Sequence, residues 1–139
     1  MLDKKRILIK IDELQNYLNE LRQIMPKSFS EYQKIEKKRS CERLLQLSVE
    51  CLIDICKIIV VGLRLGVPSE ENDLFKKLFK KEIIDEKMFS ILKEMRGFRN
   101  ILVHEYAAVD DELVFEILQT RISVFENLIK AILEFIKTC

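Results

Sequence analysis

Apolar residues recur along much of the chain at alternating steps of three and four, the spacing that places side chains on one face of an α-helix. The first such stretch runs from Ile7 through Leu14 and Leu21 to Met25, and Pro26 follows it. Proline lacks the backbone N–H that a continuing helix needs. The pattern therefore predicts a first amphipathic helix that ends at Pro26.

A second helix is predicted from Ser28 to about Val61. Ser28 and Glu31 have the spacing of a capping box, in which the hydroxyl and the carboxylate each accept a hydrogen bond from a free backbone N–H at a helix start. From Leu44 onward the residues are apolar on nearly every side, which predicts a central helix. The few polar side chains here trace one stripe at helical spacing, namely Arg43, Gln46, Glu50, Asp54 and Lys57.

Three more helices are predicted in the second half of the chain. Glycines and Pro68 interrupt the pattern, after which Ser69 could cap a short helix that we expect to be peripheral. Asp85 could cap a fourth helix that reaches at least Arg99. A fifth should begin at Asp110 or Asp111 and continue almost to the C-terminus. The sequence thus predicts an all-α fold, an antiparallel bundle of four to five helices.

Composition supports a single helical domain over residues 1–139. Apolar residues make up 48% of the chain, enough for one core, whereas three glycines and two prolines are too few for the turns of an all-β fold. No uncharged apolar run reaches the roughly 18 residues that a membrane-spanning helix needs, so we expect no membrane association. No export leader is recognisable, which favours a cytoplasmic location.

Charge and cysteine spacing narrow the possible partners. The 24 basic and 23 acidic residues leave no overall field that would attract nucleic acid, so any such site must be local. The basic runs along the chain are typical of solvated helix faces. The four cysteines have neither paired spacing nor accompanying histidines, so we expect no metal site.

The candidate chemistry lies between Arg99 and Tyr106, a segment that contains the only histidine, His104. A lone histidine near a helix end is usually a partly buried side chain with a hydrogen-bond partner. On a continuous helix Asn100 and His104 would share one face, but Arg99 and His104 would diverge by about 140°. Either the helix ends before His104, or a second copy of the chain supplies the matching group across a two-fold axis.

The polar stripe of the central helix offers partners for this segment. Glu50 and Asp54 lie on one face, and a buried carboxylate needs a compensating group because an unpaired one costs several kcal/mol. Arg99 and His104 could provide it. The alternative is a stripe exposed to solvent or to a wet dimer interface.

Arginine and histidine in one cleft suit RNA cleavage. An arginine fork recognises phosphate and stabilises the charge of a phosphoryl transition state, and a histidine moves protons near neutral pH. The 2′-hydroxyl of RNA can serve as the nucleophile, so neither metal nor cofactor is required.

The string from Arg99 to Tyr106 reads R-x4-H-x-Y and resembles the signature of HEPN-domain proteins, specifically the HepT-like toxin family. Arg43, Glu50 and Asp54 also lie in the order of that family, and the resemblance extends from about Ile7 to Ile136. It implies a homodimeric helical bundle, similar to nucleotidyltransferase substrate-binding subunits, with the motif at the dimer cleft. It further implies a metal-independent endoribonuclease that acts as a toxin.

The resemblance also implies a partner and a role for each residue. The partner would be a minimal nucleotidyltransferase antitoxin of the MntA type, which inactivates such toxins by transferring AMP to the motif tyrosine, here Tyr106. Arg99 would bind phosphate, and His104 would act as general acid or base. Asn100 would orient the phosphate or the histidine. Glu50 and Asp54 would support these groups.

Two other interpretations remain open at this stage. The same cluster could hold a nucleotide without cleaving RNA, in a non-catalytic nucleotide-binding or substrate-binding subunit that partners a nucleotidyltransferase. Alternatively, Arg99, Glu50 and Asp54 could form an ion-pair network at the interface of a purely structural dimer.

Overall fold

The computed structural model describes residues 2–104 and 109–139, and within these ranges every regular element is a helix. The all-α prediction is therefore confirmed. No helix in the described part of the chain is long and apolar enough to cross a membrane. The helices are α1 (Lys4–Ile24), α2 (Phe29–Tyr32), α3 (Ile35–Gly62), α4 (Glu71–Lys80), α5 (Glu86–His104), α6 (Asp111–Thr120) and α7 (Ile122–Lys137).

Helices α1 and α3 form the centre of the bundle. The predicted stripe of α1 is buried from Ile7 to Leu21. The latter half of α3 is buried on most sides, as its apolar composition predicted. Both predictions are confirmed, and the core formed by these two helices supports the remaining elements.

The predicted second helix is divided into two pieces. Ser28 caps a helix as predicted, since its Oγ accepts the N–H of Glu31 at 3.1 Å, but that helix ends after one turn at Tyr32. Lys34 then adopts extended backbone before α3 begins. The prediction of one continuous helix from Ser28 is wrong because Tyr32 is fully buried and packs against Phe115, 6.3 Å away between ring centroids.

Helix α4 is part of the core, contrary to the expectation that it is peripheral. It begins at Glu71 rather than directly after Ser69, and three of its apolar side chains are buried. At its other end Phe79 stacks on Phe89 of α5 with centroids 5.2 Å apart. Because Glu71 at the start of α4 contacts Arg99 near the end of α5, the two helices run antiparallel along each other.

The fourth and fifth predicted helices are observed with one difference. Asp85 caps α5 as predicted, its Oδ1 accepting the N–H of Met88 at 2.8 Å, and α5 continues without a break to His104. Asp110 caps α6. The predicted fifth helix is divided at Arg121, where the guanidinium donates a 2.9 Å hydrogen bond to Glu94 of α5.

Candidate functional site

The last turns of α5 carry the candidate site. Leu92, Met95 and Phe98 are buried on one face of this helix and fix its rotation in the bundle. That rotation places Arg99 in a largely buried position, with 15% of its side chain exposed. His104, at the end of the helix, is exposed. The helix therefore presents a largely buried cation and a solvent-accessible imidazole within two turns.

Arg99 is ion-paired with Glu71, the first residue of α4. Its Nη2 donates a hydrogen bond to Oε1 of Glu71, and Nε of Arg96 donates to the same oxygen at 3.2 Å. Burial acts to raise the pKa of Glu71, but the hydrogen bonds from Arg99 and Arg96 and their positive charges outweigh it, so this pKa lies below its ordinary value. Two cations thus share one ionised carboxylate, leaving a surplus of one positive charge.

The predicted carboxylate partners of Arg99 bind other groups in the described part of the chain. Glu50 accepts a hydrogen bond from Gln46 at 3.0 Å. Asp54 pairs with Lys10 of α1 at 3.4 Å and is 45% exposed. Within one chain these α3 side chains therefore do not pair with Arg99, because α5 turns Arg99 towards α4. The open alternative of a partly solvated stripe describes Asp54 better.

Glu71 and Arg96 are site residues that the sequence did not reveal. An acidic residue in the first turn of a helix ordinarily complements the helix dipole, so Glu71 had a sufficient local explanation. Arg96 and Arg99 are three residues apart and share a face of α5, but no local pattern indicates which helix that face meets. Only the antiparallel packing of α4 on α5 brings the three side chains together.

The continuity of α5 settles how the motif residues are arranged within one chain. Asn100 and His104 are one turn apart and share a face, with Asn100 half-buried. Arg99 and His104 are five residues apart, which on a helix separates their directions by about 140°. One chain therefore does not direct the guanidinium and the imidazole towards the same point. Tyr106 lies outside the described residues.

Among residues 2–104 and 109–139, no group of three histidine, cysteine or acidic side chains is arranged to hold a metal ion. The four cysteines are free thiols, with Cys139 exposed and the others buried.

Comparison with known proteins identifies the class to which this helical bundle belongs. The profile of the family described as Ribonuclease HepT-like matches residues 14–132. The chain therefore belongs to the HepT-like ribonuclease family, and the resemblance drawn from the R-x4-H-x-Y motif is confirmed.

Two curated relatives are RNA nucleases. The chain is 34% identical over 88 residues to the mRNA nuclease HepT of Shewanella oneidensis, covering 63% of this chain and 66% of that protein. It is 31% identical over 107 residues to the tRNA nuclease HepT of Aphanizomenon flos-aquae, covering 76% of this chain and 73% of that one.

A solved structure extends the likeness over nearly the whole chain. It is the tri-AMPylated HEPN toxin of Shewanella oneidensis in complex with its MNT antitoxin. The match has a TM-score of 0.86 and 29% identity, and it covers 95% of this chain and 98% of that one. The bundle found here is thus the fold of a known HEPN toxin.

Proposed function

We propose that this chain is a metal-independent endoribonuclease, the toxin of a toxin–antitoxin pair, and that it acts as a homodimer. The observation that carries the proposal is its membership of the HepT-like ribonuclease family together with a largely buried, ion-paired Arg99 at the start of the R-x4-H-x-Y motif. Relatives are named as nucleases of mRNA and tRNA, so the proposed substrate class is RNA.

In this proposal Arg99 binds the scissile phosphate. A guanidinium has five N–H donors, and among the described residues Arg99 uses one bond, to Glu71. Of the remaining donors Nε is buried, so the Nη groups and the surplus positive charge shared with Arg96 favour an anion. Negative charge accumulates on the non-bridging oxygens as the phosphorus becomes pentacoordinate, and a fixed arginine stabilises that charge without reorganisation.

His104 is the proposed proton-transfer group. It takes the proton of the 2′-hydroxyl as that oxygen attacks the adjacent phosphorus, and the bond from phosphorus to the 5′-oxygen breaks. The departing 5′-oxygen receives a proton from solvent, which leaves a cyclic phosphate on the upstream fragment and a 5′-hydroxyl on the downstream one. Asn100, one turn away on the same face, orients the phosphate or the imidazole.

A second copy of the chain would bring an arginine and a histidine together, which one copy does not do. Since Arg99 and His104 diverge on α5, a two-fold axis beside the end of this helix would let Arg99 of one copy meet His104 of the other. The exposed apolar side chain of Val103, next to His104, suits a position at such an interface. The bonds of Glu50 and Asp54 to Gln46 and Lys10 favour a role for these acids within the α1–α3 pair.

We further propose that a minimal nucleotidyltransferase of the MntA type silences the chain through Tyr106. The tyrosine hydroxyl would attack the α-phosphorus of ATP and lose its proton, pyrophosphate would leave, and AMP would remain on the ring oxygen. The AMPylated state of the Shewanella toxin supports this mode of control. A tethered phosphate near Arg99 would occupy the position of the RNA phosphate and exclude substrate.

The test is cleavage of single-stranded RNA by the purified chain in the presence of EDTA. We expect cleavage to persist in EDTA, to be lost in His104→Ala, and to be retained in Lys87→Ala, an exposed position on the same helix. Full activity of His104→Ala would contradict the assignment, and loss of activity in EDTA would contradict metal independence. Saturable AMP binding without RNA turnover would instead favour the nucleotide-binding subunit.

The proposed modification has its own measurement. Intact mass of the chain co-expressed with a nucleotidyltransferase antitoxin should increase by discrete AMP increments, and as many as three are known on the Shewanella toxin. Tyr106→Phe should remove all of the mass increments if every AMP is attached through the phenolic oxygen of Tyr106. Unchanged increments in Tyr106→Phe would refute the assignment.

A further inference from the structure

Helix α4 is fixed against the motif helix at both of its ends. Its apolar face is buried through Leu74, Phe75 and Leu78, and Phe79 stacks on Phe89 near the start of α5. These contacts determine where the first residue of α4 lies. The Glu71 carboxylate is therefore held at the end of α5 by packing that does not itself involve the motif.

The carboxylate bridges two arginines of α5. Arg96 and Arg99 lie three residues apart, and both donate to the same oxygen, Oε1. The three side chains are 15 to 26% exposed, so water screens their interaction less than it screens a surface pair. An arginine has several freely rotating bonds, and this pairing removes much of that freedom for Arg99 before any ligand arrives.

We propose that Glu71 is a positioning residue, which holds the Arg99 guanidinium in the orientation that stabilises the phosphoryl transition state. The inference rests on the proposed ribonuclease function and deepens it. Glu71 does not itself meet the RNA, because its negative charge would repel a phosphate. Its effect passes through Arg99: the Nε of that side chain is buried, and the Nη groups would face the substrate only while the bond to Glu71 holds the guanidinium.

This role predicts that Glu71→Gln impairs catalysis without weakening the binding of RNA. Glu71→Gln removes a negative charge from the site while Arg99 keeps its positive charge, so the attraction for RNA should be unchanged or stronger. Glutamine keeps an acceptor oxygen but not the charge, so it holds the fork less firmly, and misplacement of a catalytic group by about 1 Å can cost on the order of 100-fold in rate. We expect kcat to fall at least about 10-fold while the Kd for RNA changes by less than about 3-fold.

The opposite hypothesis is that Glu71 inhibits the resting enzyme by occupying the phosphate position. That hypothesis predicts a higher kcat and tighter binding in Glu71→Gln. A purely structural role predicts that activity and binding are lost together, in proportion to the unfolded fraction. The split between kcat and Kd distinguishes all three.

The experiment measures kcat on single-stranded RNA and Kd for the same sequence with 2′-O-methyl groups, which lacks the attacking hydroxyl. Glu70→Gln is the matched control, because Glu70 is an exposed neighbour that makes no side-chain capping bond, and it should behave as the wild type. Glu71→Asp keeps the charge on a shorter side chain and should recover part of the lost kcat. Unchanged or raised kcat in a folded Glu71→Gln would overturn the proposal.

A second variant keeps the test decisive if Glu71→Gln does not fold. Arg96→Gln removes one of the two donors that fix the carboxylate and should lower kcat by a smaller factor, again with little change in Kd. A wild-type kcat there would also overturn the role. Failure of the proposed function itself is recognised separately, since Arg99→Ala would then cleave RNA normally or the wild type would not cleave it.

Discussion

The buried cysteines illustrate how position in the bundle sets the chemistry of a single residue. Burial raises the pKa of Cys41 to about 11 and those of Cys51 and Cys56 to about 12. Cys51 also donates a hydrogen bond to the carbonyl oxygen of Lys10 at 3.1 Å. Since the thiolate is the reactive form, these three side chains act as small apolar groups near neutral pH.

We predict that one thiol of the native chain reacts rapidly with Ellman's reagent at pH 8, and that all four react after denaturation. The fast thiol should be Cys139, the exposed one. Cys139→Ser is the control and should remove the fast phase without changing the slow one. Fast reaction of two or more thiols in the native chain would contradict the burial of Cys41, Cys51 and Cys56.

Glu71 should make the stability of the folded chain depend on pH in the acidic range. Its pKa is lower in the folded chain than its ordinary value of 4.5. A carboxylate of this kind stabilises the fold fully above its unfolded pKa, and the contribution is lost as pH falls through the folded pKa. Protonation would leave Arg96 and Arg99 with two uncompensated charges.

We therefore predict that Glu71→Gln unfolds at a lower temperature than the wild type at pH 7, and that the difference narrows as pH falls below about 4.5. Thermal unfolding followed by circular dichroism over this pH range measures the effect. The exposed Glu70→Gln should show no comparable narrowing. A temperature difference that is constant with pH would contradict a lowered pKa of Glu71 in the folded chain.

At the scale of elements, local signals predicted helix starts better than helix continuity. Ser28, Asp85 and Asp110 each cap a helix in the structure, because capping depends on residues within one turn. The breaks after Tyr32 and at Arg121 depend on packing against distant parts of the chain. No periodicity within either segment contains that information.

The contrast between local signals and long-range packing also explains which site residues could be predicted from the sequence. Arg99, Asn100 and His104 could be singled out because their chemistry and spacing are local. The partner of Arg99 could not, because Glu71 is 28 residues away and joins it only through the packing of α4 on α5. The polar stripe of α3 was a more conspicuous candidate, but its acids bind Gln46 and Lys10.

The cap of α6 provides a test at this scale. Oδ1 of Asp110 accepts hydrogen bonds from the N–H groups of Glu112 and Leu113, at 3.0 and 3.3 Å. We predict that Asp110→Ala lowers the free energy of unfolding by about 1 kcal/mol. Asp110→Asn should retain most of that stability, because asparagine caps a helix about as well as aspartate. Urea unfolding measures both, and equal loss in the two variants would show that the charge matters more than the cap.

At the scale of the whole molecule, the divergence of Arg99 and His104 makes the number of copies a question about mechanism. A shared cleft predicts that the two functions can be supplied by different chains. Arg99→Ala and His104→Ala should each be inactive alone. In a mixed dimer, one chain keeps Arg99 and the other keeps His104, so one working pair is restored across the axis.

We predict that co-expression of the two inactive variants restores RNA cleavage to roughly a quarter of the wild-type rate, because random pairing makes about half of the dimers mixed and each mixed dimer holds one of two functional pairs. The rate is first measured on the co-expressed mixture. Purification through a different tag on each variant then selects mixed dimers only, and their rate should be roughly half that of the wild type. Two copies of the same variant, tagged in the same way, serve as the control and should stay inactive. If Arg99 and His104 instead act within one chain, no mixture can restore cleavage, since every chain then lacks one of the two groups.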